Sequence, residues 1–327
     1  MRTRTFGRLG WQVSEVGHGL WGAGGWTGSD DEESIAAIHR SMKLGCNFFD
    51  TALAYGLGKS ERLLAKAVGT FQGSSVPGFQ KPFIATKIPP KNGKWPALAS
   101  YALEDVFPAD YIRECTETSL ANLQLSSVDL QQFHVWSDAW AGDDRWQRAV
   151  TDLKNEGLVR AFGISVNRWE PASAFKAFQT GLIDSVQVVY NIFDQDAADE
   201  LFPMCRELGI AVIVRVPFDE GSLTGTLTPE TTWPQGDFRN IYFTPEKLRE
   251  TLRRVELVKE DLPAGMTLPE LALRFILAEP AVSTIIPGMR RPKHVDANLA
   301  VSDGKSLNPD TLSALARHRW NRGYVLP

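Results

Sequence analysis

The chain has 327 residues, of which 43% are hydrophobic and 23% charged, and its formal net charge is -4. This composition supports a large hydrophobic core and excludes an intrinsically disordered chain, and the charge does not suit a surface that coats nucleic acid or an anionic membrane. We therefore expect a globular protein whose partner is a small molecule.

The three cysteines and the N-terminus restrict the expected environment. Cys46, Cys115 and Cys205 lie far apart and have no CxxC or Cys/His ligand spacing, which predicts reduced thiols and no metal site. The N-terminus has no apolar stretch of signal-peptide length, and no segment approaches about 18 continuous apolar residues. We expect a soluble, cytoplasmic protein without a membrane partner.

Short apolar runs rich in β-branched residues recur along the chain. Eight of them are predicted strands: residues 13–19, 47–50, 83–88, 128–134, 160–165, 185–190, 211–216 and 282–287. Their near-continuous apolarity is typical of parallel strands that are covered on both faces.

Helical patterns separate these strands. A Ser29-x-x-Glu32 capping box opens one helix, and Thr267 with Glu270 opens another. Alternating strands and helices predict an α/β fold, a (β/α)₈ TIM barrel that forms one domain over residues 1–327.

Two segments do not fit the repeat. Residues 1–11 contain a turn-prone Gly7-Arg8-Leu9-Gly10 and predict a β-hairpin that closes the barrel floor. Residues 219–243 form an unusually long loop after the seventh strand. A lid or binding loop at the barrel mouth and a plain surface insertion are both open interpretations of this loop.

Reactive side chains end three adjacent predicted strands. Asp50 ends the second strand, with Tyr55 five residues later, Lys87 ends the third strand and His134 ends the fourth. Catalytic groups of (β/α)₈ barrels come from the C-terminal ends of several strands, so the combination predicts an active site. A tyrosine donates a proton poorly near neutrality unless its phenolate is stabilised, and a lysine ammonium with an aspartate counter-charge does this.

The motifs GxxxxDTAxxYG, IATK and QFH carry these four residues and resemble the aldo-keto reductase superfamily over essentially the whole chain. The resemblance implies a tetrad of Asp50, Tyr55, Lys87 and His134, in which tyrosine protonates a carbonyl and NADPH delivers hydride. It also implies a (β/α)₈ barrel with an N-terminal hairpin.

The same resemblance implies a nicotinamide site. Residues 17–21 resemble a GxGTW motif, and 163–167 with 187 resemble the family's Ser, Asn and Gln that hold the carboxamide. The implied contacts are Gly19, Leu20, Trp21, Asp50, Ser165, Asn167 and Gln187.

The segment 285–298 resembles the family's site for the adenosine 2'-phosphate of NADP(H). The implied contacts there are Gly288, Arg290, His294 and Asn298. A guanidinium at this position favours NADP(H) over NAD(H). The chain departs from the common pattern at Arg215, two residues before Pro217, where many members have an aromatic ring, and at Gly288, where a lysine is frequent. Both Arg215 and Pro217 are expected cofactor contacts.

Aromatic residues follow several predicted strands and favour an apolar or aromatic carbonyl substrate. Sugars also stack on tryptophan, so aryl aldehydes, aliphatic aldehydes, ketones and aldoses all stay open. The expected pocket contains Trp21, Tyr55, His134 and Trp136, and Trp26, Trp140, Phe193 and Phe218 are further rim candidates or core residues. Two alternatives remain: a lyase that uses Lys87 as a Schiff-base nucleophile, and a nicotinamide-binding regulatory subunit of the kind found with potassium channels.

Overall fold

The N-terminus forms an antiparallel hairpin of strands β1 (Thr3–Phe6) and β2 (Trp11–Ser14). The structure is a computed structural model that describes residues 1–26, 28–72 and 81–322. Phe6 and Val13 of the hairpin are fully buried against the barrel interior. The predicted hairpin at the barrel floor is therefore confirmed.

Eight parallel strands follow and form a barrel. They are β3 (His18–Gly19), β4 (Phe48–Asp50), β5 (Phe83–Ile88), β6 (Val128–Phe133), β7 (Val159–Ser165), β8 (Ser185–Val189), β9 (Ala211–Arg215) and β10 (Val282–Ile285). Each strand pairs with the next along the chain. Single parallel bridges from Val16 to Ile285 and from Gly19 to Gly288 join the first strand to the last. The predicted (β/α)₈ barrel is confirmed.

Helices surround the barrel. Their bounds are α1 (Asp31–Lys43), α2 (Lys59–Thr70), α3 (Leu103–Val106), α4 (Ala109–Leu123), α5 (Asp144–Asn155), α6 (Phe175–Gln179), α7 (Leu201–Leu208), α8 (Arg239–Tyr242), α9 (Pro245–Glu260), α10 (Leu268–Leu277), α11 (Pro292–Leu299) and α12 (Pro309–Ala316). Within the described part of the chain, no helix has the length and apolarity needed to cross a membrane.

Two element boundaries differ from the sequence-based prediction. Helix α1 is capped by Asp30, whose carboxylate accepts from the Glu33 amide at 2.6 Å, rather than by Ser29. The predicted first strand, 13–19, is divided, because Ser14 belongs to the hairpin and only His18 and Gly19 belong to the barrel. The Thr267 cap of α10 is as predicted, since its side chain accepts from the Glu270 amide.

Hydrophobic side chains form two cores. The larger core lies between the strands and the helices, and the smaller one fills the lower barrel interior beneath the mouth. The smaller core contains Phe6, Val13, Phe48, Ala85, Leu130, Ala161, Ala211, Ile213 and Ile286. Because side chains alternate along a strand, the residues two positions further on face the interior near the barrel mouth.

The long segment 219–243 follows β9 and contains helix α8. Asp219, Glu220 and Gly221 at its start have φ values of 47°, 54° and 111°, in the left-handed region. Near its other end, the Phe238 ring meets the Trp21 ring edge-on, with 5.9 Å between centroids. The segment therefore extends past the end of β10 to the loop that follows β3.

Candidate active site

The barrel brings the four predicted residues Asp50, Tyr55, Lys87 and His134 together at its mouth. Lys87 Nζ lies 2.5 Å from Asp50 Oδ1 and 3.3 Å from Tyr55 Oη. The Tyr55 and His134 rings are 5.5 Å apart and nearly perpendicular. Four side chains from three strand ends thus form one cluster.

A buried ion pair is the centre of this cluster. Lys87 has no exposed surface, and its ammonium also donates to the Thr51 carbonyl at 2.7 Å. Burial acts to lower the pKa of Lys87, but the charge of Asp50 and the contact with Tyr55 outweigh it, so the pKa is raised overall. Lys87 is therefore held as a cation.

Asp50 is fixed on its other side by two amides. Its Oδ2 accepts from Gln187 Nε2 at 2.9 Å and from Gln132 Nε2 at 3.4 Å. Gln132 was not among the predicted site residues. The signal available in the sequence was a pair of glutamines, Gln131 and Gln132, inside an otherwise apolar strand, since buried polar groups need partners.

The Tyr55 phenol is protonated near neutral pH. Burial raises the pKa of Tyr55 above its usual value, and the ammonium of Lys87 opposes that rise. The phenol thus carries its proton, and Lys87 lies where it stabilises the phenolate that forms when the proton leaves.

His134 is a neutral imidazole. Burial lowers its pKa well below the usual range, and the nearby charges of Lys87 and Arg215 lower it further. Its Nδ1 is buried and has no hydrogen-bond partner among residues 1–26, 28–72 and 81–322. The edge of Trp95, from the loop after β5, packs on the His134 ring at 4.6 Å between centroids.

Trp95 is a second residue that the sequence-based reasoning missed. Its side chain is 46% exposed although it contacts His134. A lone aromatic in the polar stretch Lys91-Asn-Gly-Lys-Trp95, shortly after the strand that carries Lys87, was the available signal. Exposed aromatic surface beside reactive groups is typical of a substrate contact.

Of the residues expected to hold a carboxamide, Ser165 ends β7, Asn167 follows it by two positions and Gln187 lies in the middle of β8. Ser165, Asn167 and Gln187 are all buried. The Asn167 amide donates to the Ala97 carbonyl at 2.8 Å, and the Gln187 amide donates to Asp50. The NH₂ groups of Asn167 and Gln187 therefore have protein partners in this structure.

Arg215 ends β9 and faces the same cluster. Its guanidinium donates to the Val166 carbonyl at 3.2 Å, and its charge lowers the pKa of His134.

Leu20, after β3, is buried, and Gly19 packs so closely that a Cβ there would lie 2.5 Å from the Ile286 carbonyl oxygen. Pro217 follows Arg215 at the start of the turn into the long segment.

Three arginines converge near the start of α11. Arg290 packs on Gly22, where a Cβ would lie 2.5 Å from the Arg290 Cδ. Burial lowers the pKa of Arg290, and the charges of Arg291 and Arg239 lower it further. Arg291 also pairs with Glu33 at 3.2 Å, and Arg239 pairs with Asp237 at 2.6 Å. A group of guanidinium side chains is the kind of site that binds an anion such as phosphate.

The remaining predicted phosphate-side contacts lie around the same helix. Gly288 forms the bridge to Gly19, while His294 and Asn298 lie on α11. Burial, then the charges of Lys293, Arg291 and Arg290, lower the pKa of His294. Asn298 is buried.

The rim aromatics separate into two groups. Trp136 is fully buried and packs on Phe133 and Trp146 in the outer core, so the structure does not support its assignment to the substrate pocket. Trp140 and Phe193 are also buried, and Phe218 packs against the same core. Trp21 and Trp26, in contrast, stack at 5.2 Å and are 40% and 39% exposed.

The structure is a (β/α)₈ barrel with an Asp, Tyr, Lys and His cluster at its mouth. The Aldo/keto reductase family model matches residues 15–319, and the chain belongs to this family. Members use a nicotinamide cofactor and act on small carbonyl compounds, so the chain is consistent with NAD(P)-dependent carbonyl reduction.

Several known proteins are similar to this chain over most of their length. Aldo-keto reductase YhdN of Bacillus subtilis is 29% identical over 309 residues, covering 92% of this chain and 88% of that protein. The NADH-specific methylglyoxal reductase of Escherichia coli is 27% identical over 299 residues, covering 88% and 89%. Among solved structures, aldo-keto reductase AKR11C1 of Bacillus halodurans in its holo form has a TM-score of 0.76 and 26% identity, with 99% of each chain covered.

Proposed function

We propose that the protein is an NADPH-dependent reductase of aldehydes or ketones in which Tyr55 is the proton donor. The observation that carries the proposal is the buried Lys87 ammonium, which contacts Asp50 at 2.5 Å and the Tyr55 hydroxyl at 3.3 Å. Burial keeps the phenol protonated at rest, and the Lys87 ammonium supplies a positive charge beside the phenolate during transfer.

His134 has the complementary task of orienting the carbonyl. As a neutral imidazole it can donate one hydrogen bond without adding a positive charge that would compete with Lys87. Asp50 holds the lysine in place and is itself held by Gln132 and Gln187. The side chains therefore form a preorganised proton-delivery group.

The cofactor is proposed to lie along the strand ends from Ser165 and Gln187 to Arg290. When bound, it would supply the hydride. The donor set fits an amide-bearing ring and a phosphate, because hydroxyl and amide groups lie at one end and guanidinium groups at the other. Arg215, beside the tetrad, offers a planar cation that can stack on the nicotinamide ring.

The preference for NADPH over NADH is proposed to depend on Arg290. The E. coli relative is described as NADH-specific, so family membership does not decide this point. Arg290→Ala should weaken NADPH binding in fluorescence titrations while leaving NADH binding nearly unchanged. Equal affinity of the native protein for the two nucleotides would refute this role.

The proposed substrate is a planar, apolar carbonyl compound. Trp95 packs against His134, and Gly24 leaves room for the Trp26 indole beside the Tyr55 backbone. Partly exposed indoles beside His134 and beside the Tyr55 backbone favour an aryl aldehyde over a small hydrophilic one.

The test of the proposed function is turnover of a panel of aldehydes with NADPH by native protein and by Tyr55→Phe. Loss of a general acid lowers kcat by about 10²- to 10⁴-fold. Tyr111→Phe, on the outer helix α4, is the matched control and should keep full activity. Undiminished turnover by Tyr55→Phe, or none by the native protein, would refute the proposal.

The Schiff-base alternative is not favoured by the site. A nucleophilic lysine must lose its proton. Burial lowers the pKa of Lys87, but Asp50 and Tyr55 outweigh burial, so the pKa is raised and the lysine keeps its proton. Borohydride trapping with substrate would detect a Lys87 adduct, which the reductase proposal does not expect.

A further inference from the structure

The two ends of the long segment 219–243 are joined by buried charges. Asp219, at its start, has no exposed surface, and Tyr242, near its end, donates from its hydroxyl to Asp219 Oδ1 at 2.7 Å. Arg168 and Arg322 pair with the same carboxylate at 2.8 and 2.7 Å. We call Asp219, Tyr242, Arg168 and Arg322 the neck cluster.

The cluster connects parts of the chain that are far apart in sequence. Arg168 follows β7 and also pairs with Asp194, after β8, at 2.5 Å. Arg322 comes from the C-terminal segment that follows α12. Asp219 thus connects the loop after β7, both ends of the long segment and the C-terminal segment, and Arg168 extends these contacts to the loop after β8.

Arg322 has a fixed place in the cluster. Its guanidinium lies over the rings of Trp320, Phe193 and Tyr242, at 4.4, 5.4 and 5.4 Å from their centroids. It also donates to the Tyr242 hydroxyl. An arginine held by stacking and by two polar partners is a stronger constraint than a solvated surface ion pair.

The Asp219 carboxylate is charged under ordinary conditions. Burial alone would raise the pKa of Asp219, but Arg322 and Arg168 outweigh it and lower the pKa to about 2. Removal of one arginine would leave a buried anion with incomplete compensation.

The neck cluster lies directly beside the proposed cofactor site. Arg215 and Pro217 precede Asp219 by four and two residues, and Phe238, four residues before Tyr242, contacts Trp21. Burial lowers the pKa of Arg290, and the nearby charge of Arg239 on α8 lowers it further. Movement of the neck cluster would therefore displace Arg215 and Pro217 at one end of the segment and Phe238 and Arg239 at the other.

We propose that Arg322 is a positioning residue that, through Asp219 and Tyr242, holds the long segment against the rim and so sets how fast the cofactor leaves. The part concerning cofactor release rests on the proposed function. Lid opening or product release limits turnover in many enzymes. The contacts of Arg322 would therefore affect kcat through the rate of cofactor release, although Arg322 is not a catalytic residue.

The experiment compares Arg322→Met and Arg322→Lys with native protein in stopped-flow release of NADPH and in single-turnover reduction. Arg322→Met should release NADPH at least about 10-fold faster, with the rate of hydride transfer changed less than about 2-fold. Arg322→Lys keeps the charge and should fall between native protein and Arg322→Met. A general loss of structure would instead change both rates.

Arg319→Met is the matched control. Arg319 lies three residues earlier in the same segment and pairs with Asp196 at the surface, where its side chain is 41% exposed. Its removal should leave NADPH release unchanged. Equal acceleration in both variants, or native release rates in Arg322→Met, would overturn the proposal.

Hydrogen exchange in the free protein separates this proposal from the proposed function. Amides of residues 226–242 should exchange faster in Arg322→Met than in Arg319→Met, with or without nucleotide binding. If Arg322→Met does not fold, Tyr242→Phe removes one contact to Asp219 and should accelerate exchange in the same residues. Unchanged exchange in a folded variant would overturn the positioning role of Arg322, whether or not NADPH binds.

Discussion

The barrel interior has two layers with opposite chemistry, and the same strands supply both. Strand β4 places Phe48 in the floor layer and Asp50 at the mouth, β5 places Ala85 and then Lys87, and β6 places Leu130 and then Gln132. In each strand the polar mouth residue lies two positions after the apolar floor residue. The floor layer contributes burial, whereas the mouth layer holds charges that lower stability unless every partner is present.

Removing one side chain has different consequences at the two ends of the barrel interior. At the floor, a deletion leaves a cavity whose cost depends on lost contacts. At the mouth, it leaves a buried charge or an unsatisfied amide, and it also removes chemistry.

The largest expected effect is that of Lys87→Met at the mouth. Asp50 would remain buried without its cation, so we expect a loss of about 3–5 kcal/mol in the free energy of unfolding. Carbonyl reduction should also be lost. Urea unfolding and NADPH oxidation assays measure the two effects.

Neutralising the partner provides the control for this variant. Adding Asp50→Asn to Lys87→Met should recover much of the stability but none of the activity, because the buried charge is gone and the cation is still missing. A Lys87→Met protein as stable as the native one would contradict the buried-pair interpretation.

Phe6→Ala is the floor counterpart. Phe6 is fully buried, stacks on Trp11 at 5.6 Å and meets Phe48 at 5.5 Å. Its truncation should lower the free energy of unfolding by about 3–5 kcal/mol. The kcat of the folded variant should stay within about 2-fold of native, since no mouth residue loses a partner. A strong fall in the kcat of fully folded Phe6→Ala would contradict the claim that the floor layer affects stability alone.

A smaller effect is expected from His18, which lies on the outer side of the barrel wall. Its Nδ1 is 2.8 Å from Ser41 Oγ, and burial lowers its pKa to about 3, although a contact with the Met289 backbone opposes this. An unfolded histidine has a pKa of about 6.5, so below that pH the unfolded state binds a proton that the folded state does not. Stability should fall with decreasing pH, by about 2 kcal/mol between pH 7 and pH 5.

Urea unfolding at pH 7, 6 and 5 measures this loss. His134 contributes in the same direction, because its pKa is also lowered by burial and by the nearby charges. His18→Asn should therefore reduce the slope of stability against pH without abolishing it. An unchanged slope in this variant would show that His18 is not the source.

Sequence reasoning succeeded where one strand determines a residue's place. Asp50, Lys87 and His134 end apolar runs, and a parallel barrel necessarily collects such ends at its mouth. It failed where two neighbouring residues could each cap the same helix. Both Ser29 and Asp30 have a glutamate three residues later, and only the folded chain shows that Asp30 caps α1.

Other parts of the site depend on contacts that no local pattern encodes. Trp136 follows a strand end just as a pocket residue would, but its ring turns outward into the core with Trp146. Trp95 approaches His134 from a loop 39 residues earlier, and Arg322 reaches Asp219 from the other end of the chain. Long-range packing, rather than propensity or periodicity, decides these positions.

The smallest expected effect compares an aromatic residue at the mouth with one at the floor. Trp95 is 46% exposed and touches His134, so Trp95→Ala should cost little stability but lower kcat/KM for aryl aldehydes by about 10-fold relative to short aliphatic ones. Trp11 stacks on Phe6 and on Phe83 at the floor, and Trp11→Ala should lower stability without changing substrate preference. Because both variants remove one indole, any difference in their substrate preference comes from where the indole lies and not from its chemical nature. An aryl preference that survives in Trp95→Ala would mean that Trp21 and Trp26, rather than Trp95, provide the substrate contact.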